Sequence, residues 1–279
     1  MQYEKRITAY IDILGFKDLL TETIDKNGKQ NEKKIDDLIE LYKSIREVWD
    51  LDSNMIPKNS RVPKNSKRIT TFSDCLVISF FPEEKSEIFY TLLEIKLMIM
   101  RLIYQGVLCR GAITYGELIH TEKYLFGPAL IEAYLLESKA ALYPRVILHR
   151  DIINKAGMAR LSHHSYQDEI EYVESLLEKD TDGMYYIDYF LKAQSELNDP
   201  LYDFPKYIER LGNKIRKGLM GSSSIYKADL KVKYRWLKER YNNMIDKVQS
   251  KVVISDLRKQ GESELADYYE SLKKINPND

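Results

Sequence analysis

Between residues 5 and 14 apolar and polar side chains alternate, with Ile7, Ala9, Ile11 and Ile13 on one side and Thr8, Tyr10 and Asp12 on the other. A period of two over this length is a half-buried β-strand, with an acid placed near its end on the wetter face. Gly15 follows at once and permits a tight turn into a short helix through Leu19 and Leu20. Ile35, Leu38, Ile39, Tyr42, Ile45 and Trp49 then recur at helical spacing over residues 31–50. Residues 52–66, with Pro57 and Pro63 among asparagines and serines, read as a loop. Two strands, 67–72 and 75–81, meet at a Ser73-Asp74 bend.

A long apolar helix is expected over 84–104, then a strand over 107–120 interrupted by Gly111 and Gly116. A helix opening near Pro128 runs to Leu142, and residues 145–149 form a short strand. Beyond them the pattern predicts a charged helix over 163–182, an edge strand over 184–189 and helix almost throughout from Pro205, including 226–244 and 255–274. The order implies an α+β fold. Its core is a palm-like βαββαβ unit with an antiparallel sheet and helices on one face, followed by a C-terminal helical extension. The expected domains are 1–195 and 196–279, the second packed on the first.

Composition narrows the class. Lys plus Arg and Asp plus Glu both total 43, so the net charge of +0 argues against a nucleic-acid coat or a basic membrane binder. Two cysteines, Cys75 and Cys109, exclude a disulfide scaffold and a four-cysteine zinc site, and both read as small buried strand residues. Residues 1–6 are polar, without the apolar stretch of a secretory signal. The greasiest segment, 88–104, carries Glu94, Lys96 and Arg101 and is too short and charged to span a bilayer. The expectation is a soluble, cytoplasmic protein with no membrane or nucleic-acid requirement.

In a βαββαβ sheet the first strand is central and neighbours the hairpin, so Asp12 and Asp74 can meet. Two carboxylates plus a backbone carbonyl are hard oxygen donors suited to Mg²⁺ or Mn²⁺. The amides of Gly15, Phe16 and Lys17 would open a helix beside them and accept an anion. Taken singly, an aspartate at a strand end also serves as a turn former or helix cap. The 21 tyrosines fill interfaces between sheet and helices, and His120 and His149 are strand-end polar groups. The adjacent His163 and His164 read as surface residues. Lys231, Lys233, Arg235, Lys238 and Arg240, interleaved with Tyr234, Trp236 and Tyr241, read as an amphipathic helix with solvated cations.

Four segments in order, Asp12-Ile13-Leu14-Gly15-Phe16, Ser73-Asp74, Arg110-Gly111-Ala112-Ile113-Thr114-Tyr115-Gly116-Glu117 and Phe126-Gly127-Pro128-Ala129, resemble the class III nucleotidyl cyclases over about residues 5–150. The Arg110-Gly111 pair, Ala133-Tyr134-Leu135-Leu136-Glu137 and Lys233-Tyr234-Arg235-Trp236-Leu237 are most similar to the Pycsar pyrimidine cyclases of bacterial antiphage defence. The resemblance implies that Asp12 and Asp74 bind two Mn²⁺ or Mg²⁺ ions, with the carbonyl of Ile13 completing the second site. Gly15, Phe16 and Lys17 would hold the triphosphate, and Arg68 would read the base.

The implied reaction converts a pyrimidine nucleoside triphosphate, UTP favoured and CTP the other choice, to cUMP or cCMP plus pyrophosphate. It further implies a head-to-tail homodimer with sites at the subunit interface and a separate effector protein activated by the cyclic nucleotide. The family's transition-state Asn and Arg are replaced by Ile131 and Leu135. Arg110 is the best-placed substitute, ahead of Lys231 and Lys233, and is equally a salt-bridge partner for Glu132 or Glu137. Two alternatives follow: a cyclase-like nucleotide sensor, or a purine cyclase. A condensing palm enzyme is disfavoured because Phe72-Ser73-Asp74-Cys75 holds one acid only.

Overall fold

The computed structural model describes residues 2–55 and 66–276. They divide into two compact units, Met1–Ile187 and Asp188–Asp279. In the first, strand β1 (Glu4–Leu14) is central. Strand β3 (Cys75–Phe80) runs antiparallel along one side of it, from Ile7 opposite Phe80 to Asp12 opposite Cys75. Strand β4 (Leu108–His120) runs antiparallel along the other, from Glu4 opposite Leu118 to Leu14 opposite Leu108. Strand β2 (Arg68–Phe72) forms the expected hairpin with β3 through Ser73 and Asp74. Beyond β4 lies β6 (Val146–Leu148), paired parallel to it, then β8 (Tyr185–Ile187) and β7 (Leu177–Lys179), both antiparallel. Strand β5 (Leu125–Phe126) caps the far end of β4. The sheet is thus open and mainly antiparallel, within a mixed α+β unit.

Alternation along β1 does what the pattern requires: Ile7, Ala9, Ile11 and Ile13 are buried. Helix α1 (Phe16–Thr21) follows Gly15, and α2 (Glu32–Met55) packs on α3 (Glu87–Tyr104). Ile88, Leu92, Ile95 and Ile99 make α3 a core helix, each worth about 1.5–3 kcal/mol of burial. Helix α4 (Pro128–Lys139) opens on a first-turn proline and lies against β1 and β4. Buried Ala129 and Ala133 allow the close approach, and Thr114 Oγ1 donates to the Ala129 carbonyl at 2.9 Å. The Tyr10 and Tyr134 rings meet edge to face at 5.7 Å, so α4 covers the side of β1 that carries Asp12.

Several expectations are corrected. Gly111 and Gly116 do not interrupt β4, which is continuous over 13 residues. They are glycines because neighbours come close: a Cβ at Gly111 would stand 2.6 Å from the Tyr10 carbonyl oxygen, and one at Gly116 3.3 Å from Ala129 Cβ. Helix α5 (Arg150–Met158), which buries Ile152, Ile153 and Ala156, was not foreseen. The helix expected over 163–182 is α6 (Tyr166–Ser175), closed at its start by reciprocal Ser165 and Asp168 bonds and ended before β7. Pairing of Leu177 with Ile187 overrides the local helical preference there. Strand β8 is interior, since β7 covers its outer side. Of the loop expected over 52–66, the described part begins as the end of α2, and 56–65 lie outside the described residues.

The second unit is helical, as expected, with shifted boundaries. Helix α7 (Pro200–Gly221) starts ahead of Pro205, with the Asp199 side chain accepting from the Tyr202 amide. Helix α8 (Ala228–Val248) buries Trp236, Leu237 and Tyr241, so it is amphipathic, but of the cations read as solvated only Arg235 is exposed, and Lys231, Lys233, Lys238 and Arg240 are half-buried. Helices α9 (Lys251–Lys259) and α10 (Ser263–Ser271) complete it. No helix among the described residues is long and apolar enough to cross a membrane.

Candidate active site

Asp12 stands two residues from the end of β1, directly opposite Cys75 on one side and Arg110 on the other. Asp74 belongs to the β2–β3 turn, where Ser73 takes a positive φ of 52°. Two bonds anchor that turn. The Ile13 amide donates to the Asp74 carbonyl at 2.9 Å, and the Tyr42 hydroxyl, from α2, donates to the Ser73 carbonyl at 2.5 Å. The outcome is convergence: a carboxylate oxygen of Asp12, one of Asp74 and the Cys75 sulfur all lie within 4.8 Å of one another.

Cys75 Sγ sits 3.7 Å from Asp74 Oδ1 and 4.0 Å from Asp12 Oδ1, and shares a 2.7 Å hydrogen bond with the Tyr10 hydroxyl. Burial pushes the Cys75 thiol up to about 11; the Tyr10 bond opposes this and the two aspartates add to it. Burial and the Cys75 bond likewise raise Tyr10. In the metal-free chain the sulfur is thereby held as a neutral thiol. The two carboxylates beside it are hard oxygen donors that suit Mg²⁺ or Mn²⁺. The residues present fit such an ion.

Arg110 supplies the local cation. Its Nε lies 3.7 Å from Asp12 Oδ2 and in closer ionic contact with Glu137 Oε1 of α4. Glu137 is only 2% exposed. Of the two acids considered as partners for Arg110, the structure selects Glu137.

Three residues after Asp12, at the end of β1, Gly15 adopts the left-handed conformation at φ 78° and ψ 16° and hands the chain to α1. Phe16 is buried, with its ring edge-on to Tyr42 at 6.0 Å, and Lys17 is exposed. The backbone of Ile13 is tied to Asp74, as noted. Asp12, Asp74, Ile13 and Arg110 thus come together, with the Gly15–Lys17 turn next in the chain.

Arg68 does not join them within one chain. It pairs with Ser79, which pairs with Thr8, four positions back from Asp12. That offset is about 13 Å along the strands, plus two strand spacings across them. Arg68 instead lines a cavity of about 710 Å³ with Glu4, Arg6, Phe81, His120 and Tyr124. His120, read as a strand-end polar group, is buried there between Thr70 Oγ1 at 2.9 Å and Ser79 Oγ at 2.8 Å. Burial, then the Arg6 and Arg68 charges, depress it to about 4. Of the two adjacent histidines, His163 is exposed, while His164 is half-buried with Nδ1 2.8 Å from Glu169 Oε2.

The roles of Tyr10, Tyr42 and Cys75 at this site were not anticipated. Tyr10 was signalled, since a residue two before Asp12 on a strand shares its face. Tyr42 was not, because only the packing of α2 brings it to the turn.

No family model matches the chain, and no curated protein matches it. Among solved structures it is similar to a bacterial light-regulated adenylyl cyclase, at 16% identity and a TM-score of 0.35 over 55% of this chain and 45% of that one. It is also similar to a class III adenylyl cyclase-like ATP-binding protein from Pseudomonas aeruginosa, at 14% identity and a TM-score of 0.34 over 61% and 40%. The chain spans less than half the length of either structure.

Proposed function

We propose that this protein is a nucleotidyl cyclase that converts a nucleoside triphosphate, UTP before CTP, to its 3′,5′-cyclic monophosphate and pyrophosphate. The observation that carries the reading is the meeting of Asp12 and Asp74, distant in sequence, within 4.8 Å at one sheet end beside the Gly15 turn. Those carboxylates and the Ile13 carbonyl would hold Mn²⁺ or Mg²⁺, two ions per site, which supply charge neutralisation and a more acidic 3′-hydroxyl. The chain's own task is positioning. Amides of Gly15, Phe16 and Lys17 orient the triphosphate so that the ribose 3′-oxygen faces the α-phosphorus. A bond forms between that oxygen and the α-phosphorus, the bond to the α–β bridging oxygen breaks so that pyrophosphate leaves with its electron pair, and the hydroxyl proton passes to water. Arg110 adds positive charge beside the reacting phosphate, in the role the family gives to its missing arginine.

In the head-to-tail homodimer that the resemblance implies, Arg68 of one copy would serve the acid pair of the other. Exposed Ile131, Tyr134 and Leu135 on α4 supply an apolar surface for such pairing. The resemblance to pyrimidine cyclases extends the reading to a cytoplasmic alarm system in which the cyclic nucleotide activates a separate effector protein. The same Ile131 and Leu135 favour a second reading, a cyclase-like domain that senses a nucleotide without turning it over.

The test is incubation of the purified full chain with each of the four nucleoside triphosphates and Mn²⁺, following pyrophosphate and cyclic product. UTP should give the most, and Asp12→Ala or Asp74→Ala should abolish release while leaving the melting profile cooperative. Binding without release selects the sensor, and preference for ATP or GTP selects a purine cyclase.

A further inference from the structure

We infer that Glu137 is a positioning residue of the metal site: it draws Arg110 toward itself and so keeps the guanidinium from settling onto Asp12. The inference rests on Asp12 and Asp74 holding a divalent cation, as proposed above. Asp12 and Arg110 are direct cross-strand partners, so their side chains leave the sheet side by side. In that arrangement a guanidinium closes on a carboxylate by default, and the bidentate pair is strong. The structure shows another outcome. Arg110 Nε stands 3.7 Å from Asp12 Oδ2, beyond hydrogen-bond length, and makes its closer contact with Glu137.

Burial explains the preference. The Glu137 side chain is 3% exposed, against 20% for Asp12, so Glu137 has far less access to water and far more need of a cation. Its own place is set by α4, whose Tyr134, one turn earlier on the same face, is held edge-on against Tyr10. Asp12, Asp74 and Glu137 set against Arg110 leave two net negative charges for bound cations to balance. Glu137 therefore acts through Arg110 and needs no contact with metal or substrate.

Mn²⁺ binding to the full chain, read from the electron paramagnetic resonance of free Mn²⁺, tests this without requiring activity. Glu137→Asp keeps the charge but withdraws the carboxylate by one methylene, and should weaken Mn²⁺ binding about tenfold or more. Removing both members in Arg110→Gln/Glu137→Gln eliminates the competing cation and should return affinity to within about threefold of wild type. Metal-free melting curves identify any variant that is unfolded; should E137D be one, Glu137→Gln set against the double variant gives the same contrast. Wild-type affinity in E137D, or a double variant as weak as the single one, overturns the inference while leaving the metal site standing. Wild-type protein that takes up no Mn²⁺ overturns the metal site and this inference together.

Discussion

Asp74→Asn should make the metal-free protein more stable, because the two aspartates repel each other across a short gap. Their oxygens lie within 4.8 Å, where two unit charges interact by about 0.9 kcal/mol in water and about 3.5 kcal/mol at an effective dielectric of 20. Both side chains are half-buried, and Arg110 at 3.7 Å already offsets part of the Asp12 charge. A net gain of about 1 kcal/mol is expected, raising the melting temperature by about 2–4 °C in EDTA at low salt. Asparagine preserves the size of the side chain, so the turn through Ser73 and the Ile13-to-Asp74 backbone bond are retained. With Mn²⁺ the order should reverse. At a hundredfold excess over its dissociation constant an ion adds about 2.7 kcal/mol to the wild type and far less to the variant, which has lost a ligand. Calorimetric melts of both proteins, with EDTA and with Mn²⁺, measure all four values. A variant less stable than wild type in EDTA, or one that gains as much from Mn²⁺, refutes the reasoning.

Gly111→Ala should cost about 1–3 kcal/mol by urea denaturation, since its Cβ would press on the Tyr10 carbonyl oxygen, and an unchanged midpoint contradicts the close approach. Asp180→Ala leaves the fully buried Arg145 with a weakened ion pair and should destabilise by about 3 kcal/mol in the same assay. His120 is held near 4 in the folded chain against about 6.5 unfolded, so the unfolded state binds the extra proton between those values. Its stabilising contribution is complete above pH 6.5 and declines as pH falls toward 4; His120→Gln should flatten that part of the stability curve, and an unaltered slope counts against the assignment. Tyr42→Phe removes the bond to the Ser73 carbonyl and should cost about 1 kcal/mol while weakening Mn²⁺ uptake, measured by titration; unaltered uptake would show that the turn needs no such tether.

The acid pair was legible because two local patterns sufficed. Alternation in β1 assigned Asp12 to the wetter face, and the break between two strands put Asp74 at a bend. The central place of β1 then follows from the βαββαβ order. What escaped depended on packing between distant segments. Glycines in β4 look like interruptions until β1 and α4 are seen to press on them. Helix α5 spans only nine residues, so Ile152, Ile153 and Ala156 mark an apolar face too short to repeat. Choosing Glu137 over Glu132 as the partner of Arg110 requires knowing which side of α4 faces the sheet. Arg68 matched a motif position, yet strand register carries it away from Asp12 in the same chain.

The parallel pairing of β6 with β4 has a bearing on the site that neither strand's own residues reveal. Strands that run the same way cannot be joined by a hairpin; the chain must travel back to its starting level first. That return journey is α4, and it passes over the end of β1. Had β6 been antiparallel, a few turn residues would have sufficed and no helix would overlie Arg110. The direction of one three-residue strand thus obliges the backbone to bring a water-starved acid to its guanidinium.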